Sequence, residues 1–123
     1  MEQELREIII NGTTYIPKGS KSEKAENFDD MEYKIVRTYS AGVFAGYIEK
    51  KEGMEVTMRN ARRIWYWDGA ASLSQLAMEG TSKPENCKFP QEVDRVTLTQ
   101  VVEIIDVTKK AKKSIDGVKV WKQ

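Results

Sequence analysis

Histidine is absent from the 123 residues of this chain. It is the usual general base near neutral pH and the commonest metal ligand. Ser-His and Cys-His nucleophile schemes and histidine-based zinc sites are therefore excluded. Cysteine occurs once, at Cys87, which rules out an internal disulfide and a cysteine-based metal site. Cys87 falls in a loop with no base beside it and reads as inert. The phosphate-loop pattern Gly-x-x-x-x-Gly-Lys-Ser/Thr does not occur. No apolar run approaches the ~20 residues that a membrane-spanning helix needs. The opening Met1-Glu2-Gln3-Glu4-Leu5-Arg6-Glu7 is charged where a secretion signal requires an apolar core, which predicts a cytosolic setting. Net charge is only +1, so no global field attracts DNA or RNA. Carboxylate-only or lysine chemistry stays open, but the reading these absences favour is a binding protein rather than an enzyme, with no catalytic residue, no metal and no cofactor.

Hydrophobic residues make up 40% and charged residues 32%, which suits one soluble globular domain. A core of that size is modest, and a second copy would add to it. The charge is unevenly spread. Residues 1–32 carry eight acids and four bases, whereas residues 109–123 carry six Lys and one Asp. The chain divides into an N-terminal hairpin and arm (1–32), a core (33–108) and a basic C-terminal helix and tail (109–123).

Two β-rich runs flank Asn11-Gly12, the strongest short turn signal, and predict a hairpin over 7–17. Residues 18–31 read as an exposed linker, with a short helix over 22–28 anchored by Phe28 as one form. Strands are predicted over 33–40 and 43–50. Gly42 and Gly46 mark a bulge or a close backbone approach. A third, long strand is predicted over 55–67. A helix follows, with Asp68 or Ser72 as N-cap, Ser72-x-x-Gln75 as a capping box, and Gly80 as its stop. Residues 81–90 read as a loop. The β-branched run 93–105 is one long strand, or two joined by a bulge. Thr108 caps a short helix over 109–115, with Ala111 and Ile115 inward and Gly117 ending it. Residues 118–121 are a last strand or a docking tail. The fold class expected is α+β: an antiparallel, curved or barrel-like sheet of about six strands with two short helices.

The stretch 60–80 concentrates recognition chemistry: two of the three Trp, two adjacent Arg, and a small-residue turn into a helix. Trp, Tyr and Arg dominate binding hot spots. Strict alternation over 55–67 puts Arg59, Arg63, Trp65 and Trp67 on one face and Asn60, Arg62, Ile64 and Tyr66 on the other. A bulge near Asn60 would shift that phase and bring Arg62 across. Arg37 and Tyr39 repeat the basic-aromatic pairing on a neighbouring strand. Ser74 and Gln75 offer donors at the helix start, and Ser72 reads as a cap. A base stacks on an aromatic face for ~1–3 kcal/mol, and an Arg bond to phosphate adds ~1.5–3 kcal/mol. The candidate ligand-binding residues are thus Arg37, Tyr39, Arg59, Asn60, Arg62, Arg63, Trp65, Trp67, Ser74 and Gln75. The alternative is a small adaptor that uses the same Trp/Arg surface to bind protein.

The runs Arg37-Thr38-Tyr39-Ser40-Ala41-Gly42-Val43, Asn60-Ala61-Arg62-Arg63-Ile64-Trp65-Tyr66-Trp67 and Ala70-Ala71-Ser72-Leu73-Ser74-Gln75-Leu76-Ala77 resemble those of the first-described group of phage Thoeris anti-defence proteins. The similarity extends over residues 33–115. It implies a non-enzymatic sponge in the cytoplasm of the bacterial host. Such a protein sequesters a cyclic ADP-ribose isomer, of the glycocyclic type, made by a TIR-domain enzyme. It holds the signal without cleaving it, and the Thoeris effector stays off. The resemblance also implies a homodimer with pockets between protomers. Some members form hexamers, as trimers of dimers, that bind cyclic oligonucleotides too. The residue chemistry is compatible with this. A nanomolar sponge needs ~12 kcal/mol, whereas one stack and two or three Arg bonds supply roughly 5–12 kcal/mol before ordering costs. A site closed by a second copy closes that gap.

Overall fold

A computed structural model describes residues 23–123 and, before them, the backbone pairing of two short strands. These are β1 (Ile8–Ile10) and β2 (Gly12–Thr14), which pair antiparallel with Gly12 in the ladder opposite Ile10 rather than in a two-residue Asn-Gly turn. The rest of the 7–17 prediction and residues 18–22 of the linker lie outside the described residues. Along 23–28 there is no helix. The segment instead runs extended: the Ala25 N–H donates to the Val107 carbonyl, and Lys24 bridges to Thr108. Burying Ala25 against the core outweighs a single turn of helix, which is marginal at that length.

The core is one antiparallel sheet of five strands: β3 (Glu32–Thr38), β4 (Val43–Glu52), β5 (Glu55–Arg63), β6 (Val93–Leu98) and β7 (Val101–Asp106). Their spatial order is β6-β5-β4-β3-β7. The two edge strands are therefore consecutive in sequence, joined only by Thr99 and Gln100. In a flat sheet they would lie four spacings apart, about 19 Å. Three Cα steps from Leu98 to Val101 reach about 11 Å at most, so the sheet must curl until its edges meet at this corner. The Val101 N–H reaches the Met54 carbonyl in the β4–β5 turn, and the Tyr39 N–H reaches the Gln100 carbonyl. The expected α+β class with a curved antiparallel sheet and two helices is what forms.

Curling makes two cores. Inside the curl, every strand contributes: Val36, Phe44, Val56, Met58, Ala61, Leu98 and Val101. On the outer face, Ile35, Ala45, Ile64, Phe89 and Val107 meet the helices α1 (Leu73–Glu79) and α2 (Lys109–Asp116) through Leu76, Ala77, Ala111 and Ile115. Burying Ile115 alone stabilises by roughly 1.5–3 kcal/mol. Both helix starts follow their caps. Ser72 Oγ accepts from the Gln75 N–H at 3.1 Å, and Thr108 Oγ1 accepts from the Ala111 N–H at 3.0 Å. Thr108 also ties the helices together, donating to the Met78 carbonyl at 2.7 Å. No helix among the described residues is long and apolar enough to cross a membrane.

β5 carries the bulge suspected at Asn60. From Arg59 to Arg62 it advances three residues, while its partner β4 advances two, from Tyr47 to Ala45. Asn60 takes φ +49°, the left-handed region that Asn tolerates better than most residues. Gly46 lies opposite, and a Cβ there would stand 2.8 Å from Ala61 Cα. Only glycine fits such an approach.

Candidate functional site: an exposed aromatic platform

The bulge redistributes the arginines. Before it, Val56 and Met58 point into the curl; after it, Ala61 does, and Arg63 follows on that side with its guanidinium 4.6 Å from the Phe44 ring centroid. Arg59 stays on the opposite face, paired across the strands with Tyr47. It donates to the Asp94 carbonyl at 3.3 Å and stands 3.9 Å from Glu49. The single Arg59/Arg63/Trp65/Trp67 face expected from strict alternation is therefore split, because the extra residue inverts the phase.

Arg62 crosses to the outer face and is 7% exposed. Its Nε donates to the Pro90 carbonyl at 3.0 Å, Nη1 to Ile115 at 2.9 Å, and Nη2 to Phe89 at 3.1 Å and Val118 at 2.7 Å. The cation stands at the C-terminal end of α2, where carbonyls and the helix dipole favour it. Burial pulls the Arg62 pKa below its usual value, against the opposing pull of Tyr33, Asp116 and Glu92. These bonds engage its guanidinium in pinning loop, helix and tail to the sheet. Arg62 is thus a structural clasp, and the expectation that it grips a ligand is set aside.

β5 ends at Arg63 rather than at residue 67. Beyond it the chain leaves the sheet to pair elsewhere. The Trp65 and Tyr66 N–H groups donate to the Lys88 carbonyl, and the Lys88 N–H donates to the Tyr66 carbonyl. The next residue, Phe89, bridges to Val120, and the Trp121 N–H donates to the Phe89 carbonyl. Three short segments thus lie side by side, and each carries a large side chain to the surface. The Trp65 and Trp121 rings are nearly parallel at 12°, with centroids 6.4 Å apart. Trp65 is 63% exposed and Trp121 39%. Lys88 Nζ stands 5.6 Å from the Trp121 ring and 6.0 Å from the Tyr66 ring. This is an open aromatic platform with a cation over it.

The other expected residues are spread out. Arg37, at the end of β3, is ion-paired with Glu103 at 2.8 Å. Tyr39 is exposed beyond that strand. Register puts Arg37 opposite Val43 and Arg63 opposite Phe44, so Arg37, Tyr39 and Arg63 share one end of three adjacent strands. Trp67 packs against the outer core rather than standing free. Gln75 Oε1 accepts from the Ala71 N–H at 2.7 Å and its amide donates to Glu79, while Ser74 is exposed on α1. Among the described residues no hydrogen bond or ion pair joins Ser74 or Gln75 to the platform. Asp68 serves the following loop: Asn86 and the Gly69 N–H bond its carboxylate and hold its pKa below the usual range. Among the described residues, no group of three or more acids, His or Cys is placed to hold a metal ion.

Sequence reading missed Trp121, Lys88 and Tyr66 as partners of Trp65. The three Trp were a visible signal, but which two would meet depends on the tail docking on Phe89. Residues 31–115 match the family described as Domain of unknown function (DUF6948). The chain belongs to that family. The matched span holds the whole curled sheet, both helices up to Ile115, and Arg62 with Trp65, but it stops short of Trp121. No curated protein and no solved structure matches the chain.

Proposed function

We propose that this protein is a non-catalytic sponge for a nucleotide-type signal, a cyclic ADP-ribose isomer, which it holds intact. Acting in the cytoplasm of a bacterial host, it would keep a Thoeris effector from being switched on. The observation that carries this reading is the Trp65–Trp121 platform. It offers two nearly parallel exposed indoles with the Lys88 ammonium over the Trp121 ring. A base stacks on an indole, and the phosphates take the cations. The ring and the charge are supplied together.

The platform is open, which bears on assembly. An open surface supplies the stack but exposes the phosphate contacts to water, where charged bonds weaken. A second copy laid over Trp65, Tyr66 and Trp121 would exclude that water. Homodimerisation therefore belongs to this reading, and a trimer of dimers would build on it.

The decisive experiment is capture and release. The protein is incubated with the cyclic signal, denatured and extracted, and the intact signal should be recovered in stoichiometric amount. A cleaved product would sink the sponge reading. Trp65→Ala should stay folded and lose about 5- to 150-fold in affinity, the worth of one stack. Unchanged affinity of the folded variant removes the platform from the site. If wild-type protein purified from signal-producing cells carries no excess absorbance near 260 nm, the surface serves protein contacts instead, as in an adaptor.

A further inference from the structure

A second place in the molecule combines rings with cations, and it shares no residue with the platform. The extended segment 25–28, Tyr47 of β4 and helix α2 line an open cleft of ≈ 360 Å³. That is within the range of small-molecule sites, about 300–1,000 Å³. Its rings are Phe28 and Tyr47, with centroids 5.4 Å apart, and Phe28 is substantially exposed. Its cations are Lys109, Lys112 and Lys113, one turn of α2.

The geometry follows from features already described. The Asn60 bulge and Gly46 keep Tyr47 on the outer face. The Ala25 bond to Val107 sets Phe28 beside it. The Thr108 cap starts α2 so that Ala111 and Ile115 turn inward and leave the lysines outward. Lys112 lies 4.9 Å from the Tyr33 ring and 5.7 Å from the Tyr47 ring, and it bonds Asp116 at 2.6 Å. Burial disfavours its ammonium, but Asp116 and Tyr47 more than offset this, so its pKa stands above the ordinary lysine value. The carboxylates of Glu26 and Asp116 also line the cleft. Lys109 stands 3.5 Å from Glu26 and 3.8 Å from Glu23, and all three are exposed, so an incoming phosphate can replace these long, solvated pairs. Along α2 the lysine surface continues past Lys110.

We infer that this cleft is a second binding site, for a nucleoside phosphate whose base lies on Phe28 and whose phosphates meet Lys109 and Lys113. A bare anion would use the lysines and leave the rings idle. A neutral ring would leave the lysines idle. The site takes ligands that carry both groups.

The test is calorimetric titration with ADP and, separately, with inorganic pyrophosphate, supported by amide chemical-shift mapping. ADP should shift the amides of residues 25–28 and 109–116. The double substitution Lys109→Glu/Lys113→Glu should weaken ADP at these amides at least tenfold. Phe28→Ala should weaken ADP about fivefold or more and leave pyrophosphate unchanged. Trp65→Ala should leave the cleft shifts intact, which separates this site from the platform whatever the fate of the sponge reading. The inference is overturned if ADP produces no shifts there at millimolar concentration. It is also overturned if pyrophosphate binds as tightly as ADP, or if the folded double variant binds ADP as wild type does.

Discussion

Replacing Arg62 with Ala tests whether this residue is a clasp or a ligand contact. The guanidinium serves four carbonyls. Two of them keep another partner: the Val118 N–H bonds Ile115, and the Trp121 N–H bonds Phe89. The Pro90 and Val118 carbonyls have no second partner among the described residues. A buried acceptor left unmet costs about 1–3 kcal/mol; Val118 incurs that in full and the half-buried Pro90 in part, about 2–4 kcal/mol together. The lost contact of the guanidinium with the Phe89 ring, at 5.4 Å from its centroid, adds to this. Against a total stability of about 5–15 kcal/mol for an ordinary domain, that loss is large. Tm should fall on the order of 10–20 °C. Urea denaturation followed by tryptophan fluorescence measures the change directly. Arg62→Lys should fall between the two, because an ammonium cannot span the same fan of acceptors. A loss below about 1 kcal/mol for Arg62→Ala would refute the clasp. Weakened ligand binding without destabilisation would return Arg62 to the site.

Further expectations follow from the bulge and from the acids. Gly46→Ala should destabilise by about 1–3 kcal/mol, because its new methyl meets Ala61 backbone; an unchanged denaturation midpoint would contradict the close approach. Asn60→Gly should be tolerated, whereas Asn60→Val should lose about 1–2 kcal/mol at φ +49°, as read by thermal unfolding. The Lys34 ammonium bonds Asp106 and Glu32 and holds both carboxyls below their ordinary range. A depressed carboxyl stabilises above its unfolded value, about 4, and that contribution disappears as pH falls through the folded value. The stability gap between wild type and Lys34→Met should therefore be constant above about pH 5 and shrink below pH 4. A gap that instead widens on acidification reverses the assigned sign.

Local signals proved the most legible in the sequence. Thr108, Ala111, Ile115 and Gly117 define α2 by cap, spacing and stop, and the helix forms there. The Asn60 bulge was also legible, because Asn60 and Arg62 break an otherwise apolar face. What could not be read was any contact made between distant segments. The run 93–105 announces β-structure, but not that its two halves go to opposite edges of the sheet. Trp65 was singled out, yet its partner Trp121 lies 56 positions on, and the docking depends on Phe89 and Arg62. The lysines of 109–113 read only as part of a basic helix, since nothing local places Phe28 and Tyr47 opposite them. Within the linker read over 18–31, the one conceivable helix is absent along 23–28, which runs extended because Ala25 gains more by burial than a lone turn gains by hydrogen bonding.

The order of the strands also governs how the chain can reach this state. β3 to β6 form a meander, each strand pairing with the next, and can assemble in sequence. β7 cannot: it must return across the molecule to pair Ile105 with Ile35, closing a loop of about 70 residues at an entropic cost that rises with the logarithm of its length. Such non-local pairing is slow. Until it happens, α2 is not delivered to the sheet, Arg62 lacks the Ile115 and Val118 carbonyls, and Trp121 is not delivered to Trp65. The platform and the lysine cleft are both assembled by that one closure, so neither binding surface exists on a partly folded chain.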